Sequence, residues 1–474
     1  MTDAQSKMEE ILELQRATQL HEGIPDLPTR LDRMDRAIGQ LKKYRNEICA
    51  AASADFGGRG TVTSTFAEVL VPLGKFQHTR DYTQKWMQRE KRQINSEPGG
   101  AVEAWVEYQP LGVLGIIGPW NAPVNLTFSP MFGALSAGNR IMLKPSELTP
   151  RTSALIAGMI DEVFEPSEVA VFTGGPDVGA KFCRLPLDHL LFTGGAEIGK
   201  QIMKGAAENL VPVTLELGGK SPVIISRTAD LEITAKKIIG GKLINAGQIC
   251  LSPDYLLVPR ERVEAMTQAA TVTASFLYPT VLANEEYTSI INDRHFQRLR
   301  DYIDDARVKG ANVIEVNPAG EDFSQQESTR KIPLHLLLDV NDDMSVMGNE
   351  IFGPLLPIMP YDNINEAISY VNAHPRPLAL YYFGTDQVER DRVISRTVSG
   401  GVTVNDVMKH AHTMGVPFGG VGLSGMGAYQ GFDGFKTFSH AKTVVIQPVE
   451  MPPPSPLSPP WDEKTRAALD QMLG

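Results

Sequence analysis

"NRIMLKPSELTPRTSALIAGMIDEVF", residues 139–164, decides the fold class because a strand, a turn and a helix follow one another within it. Arg140 to Lys144 is short and apolar, as a strand buried in a parallel sheet must be. Pro145 ends it, and Thr149 with Pro150 reads as a cap and first residue of a helix running to about Phe164. Working outward, "LGVLGIIGPW" (111–120), "VAVFTGG" (169–175) and "HLLFTGG" (189–195) are further apolar strands ending in glycine or proline turns. Strands separated by helix-length segments predict βαβ units, hence an α/β protein with a parallel sheet.

Beyond this core, Thr29 to Asp55 and Glu68 to Glu90 carry three-to-four apolar spacing and are predicted as two long amphipathic helices covering one side of the sheet. "AVEAWVEYQP" (101–110) alternates like an exposed strand. "VPVTLELGGKSPVIIS" (211–226) reads as strand, glycine turn, strand, a crossing point into a second α/β domain reaching to about residue 405. The glycine-rich stretch from Gly415 ends in a late strand, and a proline-rich linker then joins a short amphipathic helix at the C-terminus.

With 474 residues the chain exceeds one simple core, so two or three subdomains are expected. A net charge of −11 speaks against nucleic acid or an anionic membrane as principal partner, since both attract basic surfaces. The N-terminus is acidic and amphipathic, unlike a signal peptide, and no run of about 18 apolar residues occurs. Cys49, Cys183 and Cys250 are odd in number, far apart and form no CxxC pair, which disfavours a disulfide framework or a cysteine zinc site. A reducing, cytoplasmic setting is the expectation.

Several residues carry chemistry or look as if they do. Cys49 and Cys183 sit in helix-like or mixed segments and read as inert core. Cys250, in "LINAGQICLSPDYLLV" (243–258), is flanked by loop-forming residues, which leaves it open as packing residue, metal ligand, redox partner or nucleophile. Glu216 ends an apolar strand: a surface charge, or a base whose pKa burial raises. Asn121 in "IIGPWNAP" is a turn residue or an oxyanion donor. Lys144 and Glu147 lie just past a strand, at the edge where parallel sheets bind nucleotides, and "FTGGAEIGK" offers Gly194 and Gly195 at a helix start as a pyrophosphate seat. His410 and His412 are two apart without a third ligand nearby, so surface residues on a loop are expected and no metal site is assigned.

Read in order, "PWN", "KPSE", "FTGG", "LELGGKSP", "GQIC", "EIFGP" (350–354) and "PFGGVGLSGMG" resemble the NAD(P)-dependent aldehyde dehydrogenase superfamily over nearly the whole chain. "VPVTLELGGKSP" and the closing "PFGGVGLSGMGAYQGFDGFKTFSHAK" look most like its class 3 group and, within that, the bacterial coniferyl aldehyde dehydrogenases. The resemblance implies a Rossmann-type NAD(P)-binding domain (1–95 and 110–217) and a catalytic domain (218–405). It further implies a β oligomerisation unit with C-terminal tail (96–109 and 440–474) and a return segment (406–439).

Carried residue by residue, it makes Cys250 the nucleophile, Glu216 the base for thiol and thioester hydrolysis, and Asn121 an oxyanion donor. Lys144 and Glu147 fall to the adenosine ribose, Gly194 and Gly195 to the pyrophosphate, Glu350 and Phe352 to the nicotinamide ribose and ring. Trp120 contributes mainly backbone. Glu147 should repel a 2′-phosphate and favour NAD, although relatives with "KPSE" often accept NADP as well. Gly195 stands where many relatives have serine. Phe418 matches a position near the acyl pocket, and an aromatic wall suits a phenylpropanoid or medium-chain aldehyde as well as plain packing. A homodimer is implied, and a soluble protein, because the tail lacks the apolar anchor of membrane-bound class 3 members.

Two other functions compete. An acylating enzyme would form a coenzyme A thioester, yet such relatives commonly lack the glutamate found here as Glu216. A non-catalytic protein on a dehydrogenase fold would not need Cys250, Glu216, Asn121 and Lys144 together.

Overall fold

The chain is described as a computed structural model covering residues 3–93, 103–326, 329–447, 459 and 461–474. Its first sheet has six strands in the order Gly425–Met426, Val213–Glu216, His189–Thr193, Val113–Ile117, Arg140–Lys144 and Val169–Val171. All neighbours are parallel except Gly425–Met426, which runs antiparallel to Val213–Glu216. The first strand of the set, Val113–Ile117, lies in the middle, and the chain adds later strands to either side of it. Such a sheet opens a crevice outside the carboxyl ends of its strands where the order reverses.

Helix Pro123–Ala137 fills the crossover from Val113–Ile117 to Arg140–Lys144 and is buried on nearly every side. Helix Pro150–Asp161 starts where the sequence places it, but the Thr149 side chain does not cap it. Asp55 does, accepting from the backbone N–H groups of Arg151 at 3.0 Å and Thr152 at 2.8 Å. A carboxylate brought from another helix thus satisfies the free donors of this one.

At "LGGKS" the chain leaves the first sheet and starts a second, ordered Asn312–Glu315, His335–Leu338, Leu355–Tyr361, Tyr255–Pro259, Pro222–Ile225, Ala379–Phe383, Gly401–Val404. It is parallel apart from the Asn312–Glu315 edge. A third, antiparallel sheet pairs Glu103–Pro110 with Ser439–Ile446 over eight residues and with Glu90–Lys91. The late strand that closes the glycine-rich stretch is thus Ser439–Ile446, and it pairs with the strand read at 101–110; residues 448 and 449 lie outside the described residues.

Two helix predictions need correcting. The segment predicted as one helix from Thr29 is broken at Tyr44 into Leu27–Lys43 and Arg45–Phe56, and Tyr44 uses its hydroxyl on Glu162. The second helix runs Val71–Trp86, preceded by a π-helical turn over Thr65–Leu70. Among the described residues no helix is long and apolar enough to cross a membrane.

Candidate active site

The carboxyl ends of the first sheet gather most of the residues singled out above. Lys144 ends its strand with its side chain buried and donates to Glu147 at 2.7 Å. Gly194 follows strand His189–Thr193, and a side chain there would collide with the Phe192 ring. Gly195 is the residue before helix Ala196–Ala207, and the space at its α-carbon is open. These N-terminal N–H groups face outward with no competing side chain, which suits a diphosphate.

Glu350 and Phe352 arrive from the second sheet. Glu350 lies against Gly218, where any side chain would collide with the carboxylate. Its Oε1 is buried without a partner, and burial pushes its pKa up to about 8 against an opposing hydrogen bond from the Gly219 N–H. Phe352 holds a φ of 48°, rare for a residue with a side chain, and its ring meets Trp120 edge-on at 5.3 Å. A buried lysine, a buried carboxylate with one free oxygen and an uncapped helix N-terminus are a donor and acceptor set that fits a dinucleotide.

The cysteine sits on an unusual loop. Asn245, Ala246 and Gly247 are left-handed in succession, with φ of 53°, 52° and 74°, and Gly247 abuts the Gly353 carbonyl so closely that no side chain would fit. Gln248 holds this shape from within: its amide donates to Asn245 O and Ser289 O, each at 3.0 Å, and accepts from Ile291 N–H at 3.0 Å. Asn121 closes the arrangement, its side chain donating to Gln248 O at 3.1 Å while its carbonyl accepts from Asn245 at 3.2 Å. An asparagine amide has two donor hydrogens, so one remains for the space in front of Cys250.

That space is a cavity of about 120 Å³ lined by Cys250, Glu216, Asn121 and Phe418 among mainly apolar side chains. Burial pushes the half-buried Cys250 thiol up to about 12, reinforced by the Glu350 and Glu216 charges and opposed by the N–H groups of Cys250 and Leu251. Glu216 is 3% exposed, neither carboxylate oxygen has a hydrogen-bond partner, and burial raises its pKa well above the ordinary carboxylate range. A thiol that resists ionisation therefore shares a dry cavity with a carboxylate that resists staying ionised. Phe418 is buried, stacked on His410 at 6.3 Å and edge-on to Tyr429 at 5.9 Å.

The two histidines lie in a helix rather than on a loop, and His412 is a surface residue as expected. They lie in the short helix Lys409–His412; His410 is half-buried with Nδ1 bonded to Thr403 at 2.8 Å, and His412 lines the cavity. Among the described residues no group of three metal-ligating side chains forms. Sequence reading also passed over Gln248, whose place in "GQIC" was its one signal, and Lys75 and Arg59, which line the cavity from segments that read only as helix and turn. Cys49 and Cys183 are buried and free.

A model of the aldehyde dehydrogenase family matches residues 8–444. A probable coniferyl aldehyde dehydrogenase of Caulobacter vibrioides is 51% identical over 465 residues, spanning 98% of this chain and 96% of the relative. A coniferyl aldehyde dehydrogenase of a Pseudomonas species is 50% identical over 436 residues, spanning 92% and 90%. Among solved structures, the substrate-bound state of Staphylococcus aureus AldH superposes with a TM-score of 0.91 at 32% identity, covering 98% of this chain and 99% of that one. The NAD+ complex of a Bacillus cereus aldehyde dehydrogenase gives 0.82 at 26% identity, covering 94% and 89%.

Proposed function

Because the chain belongs to the aldehyde dehydrogenase family and oxidises an aldehyde to its acid with a pyridine nucleotide, we propose that its substrate is a phenylpropenal such as coniferyl aldehyde, with Cys250 as nucleophile. The carrying observation is the single apolar cavity into which Cys250, the unpartnered Glu216 carboxylate and the Asn121 amide all face. Relatives at half identity bearing the coniferyl name, and the aromatic ring of Phe418 on the cavity wall, support the substrate class.

In this reading Glu216 takes the thiol proton and the Cys250 sulfur adds to the aldehyde carbon, giving a thiohemiacetal. The Asn121 amide and the Cys250 N–H hydrogen-bond the oxyanion, a type of contact worth roughly 3 kcal/mol in a transition state. The nicotinamide cofactor, when bound, supplies the hydride acceptor. Once Glu216 has passed the thiol proton to solvent it is a base again; it draws a proton from the water that attacks the Cys250 thioester and returns it to the departing sulfur, releasing acid and free thiol. Lys144 and Glu147 would hold the adenosine ribose, the Gly194–Gly195 turn the diphosphate, and Glu350 and Phe352 the nicotinamide side, with Trp120 backing Phe352. The Glu147 carboxylate, repelling a 2′-phosphate, favours NAD over NADP.

Cys250→Ala should abolish NADH production, and full activity in that variant would sink the assignment. The acid should form without coenzyme A, and kcat/KM should rank coniferyl and cinnamyl aldehydes above short aliphatic ones; the reverse order removes the substrate proposal. We also read the domain boundaries given above as functional units, supported by the chain's change of sheet at Leu217–Ser221. The setting is cytoplasmic, in keeping with three unpaired thiols. The assembly is a homodimer, as the long exposed edge of Ser439–Ile446 offers a template for pairing. Light scattering at the single-chain mass would refute the dimer.

A further inference from the structure

Helix Val71–Trp86 and the π-helical turn before it present Ala67, Val71 and Lys75 to the cavity, four residues apart and therefore on one face. Two of the three are apolar, as the rest of the wall is. Lys75 is not, and it brings an ammonium to the wall of the cavity that also holds Glu216, the only carboxylate among the lining residues. Among the described residues this ammonium has no hydrogen-bond or ion-pair partner, in contrast to Arg59, the other permanently charged lining group, which is bound to Glu68 at 2.7 Å. His412, with Lys409 near it, completes the basic groups around Lys75; Tyr429 faces the same space, and Glu350 acts on Cys250 from behind. His78, one turn along the same helix, borders with Lys75 a smaller neighbouring cavity.

We propose that Lys75 is a positioning residue for the proton transfer, its ammonium keeping one negative charge resident in the cavity, on Glu216 before the transfer and on Cys250 after it. The inference rests on the roles proposed above for Cys250 and Glu216. In the transfer the S–H bond of Cys250 breaks and an O–H bond forms on Glu216. The carboxylate becomes an acid, the thiol a thiolate, and the charge balance with Lys75 does not change. That matters because an uncompensated anion in a low-dielectric cavity is strongly disfavoured, on oxygen or on sulfur alike. Removing the ammonium takes away the charge that opposes the burial-driven protonation of Glu216. The mutual influence of the three groups has the same sense: burial draws Lys75 down to about 8 while Cys250 and Glu216 push it up, and Lys75 opposes the burial-driven rise of Glu216.

The test is alkylation of Cys250 by iodoacetamide in the full-length protein between pH 6 and 10, where the rate follows the first proton lost by the coupled Cys250–Glu216 pair, read by peptide mapping so that Cys49 and Cys183 do not interfere. Lys75→Met should move the midpoint of the rate profile up by about one pH unit or more, which is about tenfold slower alkylation at pH 7. Lys75→Arg, keeping the charge, should restore the midpoint to within about a third of that shift. Coincident profiles for parent and Lys75→Met overturn the proposal, as does an equal shift in both variants, which would mean a role in shape alone. Lys75→Gln and thermal melts ensure that folded protein is read, and loss of the fold in both neutral variants also overturns it in favour of a structural lysine. If instead Cys250→Ala keeps full NADH production, the nucleophile assignment itself fails, a result separable from any Lys75 profile.

Discussion

Glu68 and Glu216 are both essentially excluded from solvent, at 0% and 3% exposure; Glu216 lines the cavity, and Glu68 is bound to Arg59, which lines it too. Their surroundings are opposite. One oxygen of Glu68 takes the Arg59 guanidinium at 2.7 Å, and the other accepts from the N–H groups of Val124 at 3.1 Å and Asn125 at 3.0 Å, the first turn of helix Pro123–Ala137. Both oxygens are engaged, by three hydrogen bonds in all, and the negative charge sits at a helix N-terminus where the helix dipole favours it. Glu216 has no such partner on either oxygen. Similar burial thus has two outcomes: a satisfied carboxylate holds the structure, and an unsatisfied one is left free to move protons.

The largest effect separating the two should come from Glu216→Gln. The amide cannot accept the thiol proton or draw one from water, so kcat should fall by roughly 10²–10⁴-fold. Thermal stability should stay close to level, because neither carboxylate oxygen has a hydrogen bond to lose. A Tm drop of many degrees with activity intact would reverse the contrast.

Glu68→Gln should do the opposite. It strands the Arg59 guanidinium, whose side chain is 1% exposed, and such a loss typically costs about 3–5 kcal/mol. Urea unfolding measures it. A cost below about 1 kcal/mol would mean that the pair contributes little and that burial alone does not separate the two carboxylates.

How far this contrast was legible in the sequence follows from the range of the contacts. The alternation of apolar strands with helices is local, so the parallel sheet and the crevice past Lys144, Gly194 and Glu216 could be read from patterns of a few residues. Motif resemblance singled out Cys250 and Asn121, but not that Asn121, Asn245 and Gln248 lock one another across more than 120 positions. Nothing in a helix period distinguishes Lys75 from a solvated lysine, since the cavity it faces is assembled from distant segments. The break at Tyr44 and the π-helical turn escaped for a related reason: both continue a helical pattern whose apolar spacing survives a local change of pitch.

A third buried titratable group sharpens the comparison at smaller amplitude. His189 is 6% exposed, its Nε2 pairs with Thr214 Oγ1 at 2.9 Å, and burial holds its pKa down to about 4. Like Glu68 it is satisfied, but only in its neutral form. The sign follows from proton uptake. Below the ordinary histidine value near 6.5 the unfolded chain takes up a proton that the folded chain refuses until about pH 4, so stability falls as pH drops through that interval. The loss should be about 1–2 kcal/mol between pH 7 and pH 5, and His189→Gln, which keeps a polar side chain without the titration, should remove that part of the dependence. Parallel pH–stability curves for parent and variant would show that His189 protonates freely in the folded state, and that a single neutral hydrogen bond does not commit a buried group as the three contacts of Glu68 do.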